Sequence, residues 1–194
     1  MIDTFELAVE AEQFVTWTAN LVAGKMVDES AATPTYSATI PFRARDCNVY
    51  FADTEAGLAG ATAIKLTNIN LNFTKNLMVH QAIGSDDIDK IFNQQFNVSW
   101  DFEAIYASKD YQDFVRDATK KYMKIEIINT QALLSDGTTN PTLSFTLGKV
   151  SFETRDQTDA NNDIVKQTVG FIGSYNNTDW YTVKATLKNN RSAI

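Results

Sequence analysis

The sequence predicts an α+β fold, mainly β: an antiparallel β-sandwich or part-barrel with a flanking α-helix. Three observations point there. Apolar residues recur with period two in short runs broken by turn residues, the pattern of strands that are dry on one side and wet on the other. Between two of these runs lies a segment whose apolar residues follow helical spacing instead. The chain has 194 residues with 44% hydrophobic content, enough for one well-buried core, so 1–194 reads as a single domain.

The elements follow in order. "TFELAVEA" and "FVTWTANLVA" both alternate and are separated only by Glu12 and Gln13, which predicts a tight hairpin near the N-terminus. Residues 24–46 lose periodicity and carry two of the three prolines, which predicts a loop longer than compact domains ordinarily keep without a role for it. "CNVYFAD" then reads as a strand. In "AIKLTNINLNFTKNL" the apolar positions are Ile64 and Leu66, then Ile69, Leu71 and Phe73. That slip of phase predicts a β-bulge near Thr67 and Asn68. "GSDDIDKIFNQQ" offers Ser85 as an N-cap, Asp86 and Asp87 at the positive end of a helix dipole, and Ile88, Ile91 and Phe92 at helical spacing, so a short helix is expected.

The stretch from 96 to 127 changes period twice. Phe96, Val98, Trp100, Phe102 and Ala104 share one parity, and Asn97, Ser99, Asp101 and Glu103 share the other. This is a strand with two unlike faces. After Ser108, an expected N-cap, Tyr111, Phe114, Val115 and Ala118 form the stripe of a surface helix over 109–120. Met123, Ile125 and Ile127 return to period two. In "TLSFTLGKVSFET" the phase slips again across Gly148, which predicts a second bulge with glycine at its bend. "IVKQTVGFIGSY" and "WYTVKATL" complete a count of about eight strands and two helices, joined by connections short enough for antiparallel neighbours.

The chemistry is sparse. A net charge of −7 makes the chain a poor grip for a phosphate backbone. The single cysteine, Cys47, permits no internal disulfide or thiolate zinc cage and reads as a small buried hydrophobe. His80 is the only histidine, so any histidine-based metal site, Ser-His-Asp triad or Cys-His pair would depend on this one side chain. It is expected to face solvent or an interface. "DQTDANNDI" resembles the start of a calcium loop at 156–163 through Asp159, Asn161 and Asp163. However, Ile164 stands where that loop needs glycine, and Gly170 where it needs glutamate. The sequons at Asn72, Asn97, Asn176 and Asn190 are read as chance in a chain rich in Asn and Thr. The start "MIDTFELAVE" has no basic and apolar leader pattern, and no window is long and apolar enough for a membrane span, so folding in a cytoplasm is expected. No phosphate cradle or hydrolase motif occurs. The reading is not an enzyme, with no catalytic residue, metal or cofactor.

The succession of "AIKLTNINLNFTKNL", "DDIDKIFNQQF", "NVSWDFEAIYASKDYQDFV", "KKYMKIEI", "LSFTLGKVSFETRD", "IVKQTVGFIGSY" and a closing strand, over about 42–189, resembles the major tail (tail tube) proteins of long-tailed, siphovirus-type bacteriophages. That family is similar to the tubes of contractile tails and type VI secretion. The resemblance implies a ring, usually six-fold, with rings stacked into a tube that DNA passes through. Partners would be other copies of the chain, a tape-measure protein and tail-tip or terminator proteins; DNA would pass without specific binding, and no membrane would be involved. The location would be the virion, after synthesis in the host cytoplasm. On this reading Asn68, Asn70, Asn72, Asn97, Ser99, Asp101 and Glu103 face the lumen. The 24–46 loop is the candidate inter-ring arm, with Met26, Asp28, Glu29, Tyr36, Arg43 and Arg45 as contacts. Two alternatives share the pattern. One is a single-ring terminator or hub component of related fold. The other is a monomeric β-sandwich carbohydrate-binding module using Trp17, Tyr50, Trp180 and Tyr181.

Overall fold

A computed structural model describes residues 1–24, 40–84, 87–158 and 164–189 of the chain. The strands are β1 (Ile2–Glu10), β2 (Thr16–Leu21), β3 (Cys47–Ala52), β4 (Asn68–Thr74), β5 (Met78–Gln81), β6 (Ile88–Phe92), β7 (Asn97–Ile105), β8 (Lys120–Ile128), β9 (Thr142–Thr158), β10 (Lys166–Gly173) and β11 (Val183–Lys188). One α-helix, α1 (Asp110–Arg116), lies between β7 and β8. Nine strands form one antiparallel sheet in the order β2-β1-β4-β7-β10-β9-β8-β3, with β11 paired to β9, and β5 and β6 form a separate two-stranded sheet. Among the described residues there are therefore eleven strands and one α-helix, against about eight and two expected.

The large sheet is a curled half-barrel. Its two ends approach each other where Phe14 bridges Arg43. There the Val15 N–H donates to Phe42 O at 3.0 Å and the Ala44 N–H to Gln13 O at 2.9 Å. The concave side holds the core. Leu71, Val98, Phe102, Met123, Ile125, Ile127, Leu147, Val150 and Val169 are all at most 1% exposed. Phe102 sits in an aromatic cluster, with ring centroids 5.2 Å from Tyr111, 5.8 Å from Phe171 and 6.1 Å from Phe51. Burying one such ring is worth roughly 1.5–3 kcal/mol. The helix closes this side, with Phe114 5.3 Å from Phe152.

The N-terminal hairpin forms as expected, and Cys47 packs against the core from the start of β3. Phe96, placed on the buried parity by sequence, precedes β7 and is 44% exposed.

Three local expectations are corrected. The region of Ile88, Ile91 and Phe92 is not a helix but β6, paired to β5. A helix that short has too few turns to stand alone, and its β-branched isoleucines favour the extended state once a neighbouring strand is present. Ser85 and Asp86 lie outside the described residues. The phase slip at Thr67 and Asn68 is not a bulge, since β4 pairs with β1 and β7 in unbroken register. Instead the chain changes neighbours, with Ile64 bridging Val49 on the far edge before Thr67 N–H reaches Glu103 O at 2.8 Å. Finally, α1 is shorter than 109–120. Ser108 donates to the Asp110 carboxylate at 2.7 Å while Lys109 occupies the N-cap. Ala118 then turns left-handed at φ 49°, the Thr119 N–H closes on Phe114 O at 2.9 Å, and Lys120 already belongs to β8.

The bulge expected at Gly148 is present. Lys121 pairs with Val150 and Met123 with Leu147, so Tyr122 opposes both Gly148 and Lys149. This brings Leu147 and Val150 to the same face despite their odd spacing. Gly148 is also closely approached by other parts of the chain. A Cβ there would lie 3.0 Å from Asn176 Cβ and 3.2 Å from the Tyr181 carbonyl oxygen. A Gly148→Ala variant is therefore predicted to lose about 1–3 kcal/mol of unfolding free energy in denaturant titration. An unchanged midpoint would mean that this contact yields freely.

Candidate functional site

The convex face of β1, β4, β7 and β10 is built by the same alternation that fills the core. Register places Glu10, Asn68, Glu103 and Thr168 on one rung, Ala8, Asn70, Asp101 and Gly170 on the next, and Glu6, Asn72, Ser99 and Ile172 on the third. Thr4, Thr74 and Asn97 form the last. All seven residues expected on a wet face thus share one face of two adjacent strands. Asn72, Asn97 and Ser99 are exposed, while Asn68, Asn70, Asp101 and Glu103 are half-buried by their neighbours.

A second bulge, which sequence reasoning missed, extends this face onto β9. Gly170 pairs with Thr154 and Phe171 with Phe152, leaving Glu153 unpaired. The extra residue switches parity, so Thr154, Asp156 and Thr158 join the wet face although Phe152 points to the core. Arg155 and Gln157 take the other side. There the Arg155 Nε–H donates at 3.1 Å to Gln167 Oε1, and Gln167 is itself 1% exposed.

Electrostatically the wet face is acidic. On β1, β4, β7, β10 and the end of β9 the rungs carry Glu6, Glu10, Asp101, Glu103 and Asp156 against Lys166, and the rung of Glu6 and Ile172 continues through Ser151 to Lys120 on β8. Its side chains bond to one another. Asn70 Nδ2 donates to Asp101 at 3.1 Å, Thr67 Oγ1 to Glu103 at 2.7 Å, and Lys166 Nζ to the same Glu103 oxygen at 3.0 Å. The Thr67 hydroxyl first, and then Lys166, hold the Glu103 carboxyl below the usual range. At neutral pH the rungs of β1, β4 and β7 offer phosphate no cationic partner, and Lys166 beside them is already engaged by Glu103.

The other candidates are dispersed. Arg43 lies over the Phe14 ring at 5.5 Å, and Arg45 is 3.9 Å from Asp46 with its side chain 56% exposed. Met26, Asp28, Glu29 and Tyr36 lie outside the described residues, as do Asp159, Asn161 and Asp163. His80 is exposed on β5 with Nδ1 3.4 Å from Asp89. Among the described residues no group of His, Cys, Asp and Glu is placed to hold a metal, and no helix is long and apolar enough to cross a membrane. Burial pushes the Cys47 thiol up to about 12.

A family model described as phage tail tube protein matches residues 1–173. The chain belongs to that family. The chain is thus a structural component of a phage-type tail, in a family that is not one of enzymes. A chain in the cryo-EM structure of the anti-feeding prophage tube-terminating cap has the same fold. Its TM-score is 0.52 at 10% identity, covering 80% of this chain and 97% of its own. A chain of the six-fold symmetrised anti-feeding prophage baseplate gives a TM-score of 0.49 at 16% identity, covering 84% of this chain and 100% of its own. No curated protein matches the sequence.

Two further features of the chain escaped sequence reasoning. One is the β5–β6 hairpin. The other is a polar clamp in which Asn176 Nδ2 reaches Gly148 O at 2.8 Å, Tyr122 Oη at 2.9 Å and Asp179 Oδ2 at 2.7 Å. The clamp buries Asn176. No periodicity signals it, because its members lie in separate segments.

The depressed Glu103 pKa sets a pH dependence. Its bonds stabilise the fold above the normal carboxylate range, and that contribution disappears as pH falls through the lowered folded value. Denaturant titrations from about pH 7 to about pH 3 should show the wild type more stable than Glu103→Gln at neutral pH, with the gap closing in acid. A constant gap would assign the difference to packing instead.

Proposed function

We propose that the tail tube protein assembles into hexameric rings that stack into the hollow tube of a siphovirus-type tail, with the wet face of β1, β4, β7 and β10 turned to the lumen. The observation that carries this reading is the division of one sheet into a dry face covered by α1 and an acidic, amide-rich face across whose rungs no element of the described residues packs. A duplex moving past Asn68, Asn70, Asn72, Asn97, Ser99, Asp101 and Glu103 finds like charge and bonded amides, so it slides without being held. DNA leaves through the bore on ejection.

The free edge of the sheet supports ring closure. β2 is terminal in the strand order, and its Trp17 and Leu21 are 68% and 73% exposed. An open apolar edge of this kind invites uncontrolled pairing, and a neighbouring subunit covers it. Trp17 already stacks on Phe5 at 6.1 Å, which rigidifies the edge it presents. The 24–46 segment, with Met26, Asp28, Glu29, Tyr36, Arg43 and Arg45, contributes contacts between rings. The whole chain acts as one tube domain, made in the host cytoplasm and finished in the virion. A tape-measure protein and tail-tip or terminator proteins bound its ends.

Electron microscopy of the purified protein across a concentration series tests the assembly. Hollow filaments of stacked rings are expected, whereas single rings would indicate a terminator or hub, and solitary particles would sink the proposal. Orientation is tested separately with Ser99→Cys, since Cys47 is too weakly acidic to react quickly near neutral pH. A small maleimide should label Ser99→Cys in filaments and in dissociated subunits alike. A polymer-linked maleimide wider than the bore should label only dissociated subunits. Equal labelling of filaments by both would place this face outside.

A further inference from the structure

The β5–β6 hairpin pairs Met78 with Phe92, Val79 with Ile91 and His80 with Lys90, so Met78, His80, Lys90 and Phe92 share one of its faces. None of its apolar side chains belongs to the core or packs against it, and Met78 and Phe92 are 50% and 49% exposed. A lone two-stranded hairpin is marginal in water, so an apolar face of this kind gains stability when something covers it.

A surface suited to that face lies at the root of the hairpin itself. A cavity of about 270 Å³ is lined by Ile2, Phe5, Phe73, Phe96, Phe145 and Ala185 among others. Its apolar wall is open to water: Phe96 stacks on Phe73 at 6.3 Å yet stays 44% exposed, as does Ile2. Phe73 and Lys75, where the chain leaves β4 for the hairpin, and Phe96, where it returns to β7, all line this cavity. The connecting segments are tied to each other, since Asn76 Nδ2 donates to Gln95 O at 2.8 Å. Asn76 is left-handed at φ 50°, a turn that asparagine tolerates better than most residues. Before it, Lys75 N–H is fixed on Asp3 O at 2.8 Å; after it, a single bond from Leu77 N–H to Asp3 Oδ1 at 2.9 Å latches the hairpin in its outward position.

We propose that the β5–β6 hairpin is a hinged cover, which in the dissociated subunit turns beside Asn76 and lays its Met78–Phe92 face over the Phe73–Phe96 cavity, and in the assembled tube stands outward. The inference rests on the self-assembly reading above and adds a step that regulates it. Closing exchanges the Leu77 bond to Asp3 for burial of two apolar surfaces that one short tether holds together, so a closed subunit outcompetes contacts with dilute neighbours. As copies gather, contacts made only by the outward form draw the population toward it.

A disulfide tests the closed position. Lys90 lies on the covering face and Ala185 on the β11 wall of the cavity, and both are exposed, so Lys90→Cys with Ala185→Cys leaves the core intact. Oxidation of dilute, dissociated double-variant subunits should give an intramolecular disulfide, read as faster migration without reductant, and each single variant, with Cys47 still present, should not. The oxidised subunits should need at least about tenfold more protein to form filaments, and reduction should restore the wild-type threshold. Filling the cavity with Ala185→Trp should act the other way, lowering the threshold about threefold while the melting temperature of the subunits stays unchanged. The cover is overturned if no intramolecular disulfide forms, or if oxidised subunits assemble as readily as reduced ones. Failure of the wild type to form filaments at any concentration overturns the tube reading instead, and the disulfide in dissociated subunits then decides the closed position alone.

Discussion

The structure depends on strict alternation along β4 and β7. On the dry side, Ile69, Leu71, Val98, Trp100, Phe102 and Ala104 are all nearly inaccessible. A slip of one residue in β7 would turn Val98, Trp100, Phe102 and Ala104 to water and carry Asp101 and Glu103 into the core, and one in β4 would bury Asn68, Asn70 and Asn72. An unpaired carboxylate in such surroundings costs several kcal/mol, more than any local preference can offset. The wet face is therefore not an independent design. Its charge and its position follow from the packing demand of the face behind it.

Keeping the alternation aligned over a curled sheet needs local corrections, and β9 supplies them. At 17 residues it is long enough to pair with β8, β10 and β11, and it changes parity twice to do so. The bulge at Gly148 keeps Leu147 and Val150 in the core, and the one at Glu153 hands the end of the strand to the acidic face. Both insert one residue where the sheet must bend. The clamp at Asn176 lies beside the first of them and ties the connection between β10 and β11 to the bend.

How much of this was legible in the sequence depended on range. The two-faced strand at 97–105, the β1–β2 hairpin, the Gly148 bulge and the helix stripe of Tyr111 and Phe114 were readable because each rests on neighbours a few residues apart. The hairpin at 78–92 was misread because Ile88, Ile91 and Phe92 carry helical spacing and fit a strand only through the bulge at Asp89, which the pairing with β5 creates. The crossing at Ile64 was mistaken for a bulge because a change of partner and an inserted residue leave the same mark on parity. For the candidate wet face, the sequence indicated which residues share a side. The acids contributed by β1 and β9 came only with the register, and the Glu153 bulge had no glycine to announce it.

Strand order also has a kinetic consequence. Local hairpins such as β1–β2 close within microseconds, but β1 must then find β4, where Thr4 meets Thr74, and β3 must find β8, where Cys47 meets Ile127. Such distant pairings put folding in the millisecond-to-second range and leave aromatic strands bare while the chain searches. The acidic face confers a benefit during that search, before the sheet is complete. Half-folded chains that already display it repel one another, which gives each the time to complete its sheet alone.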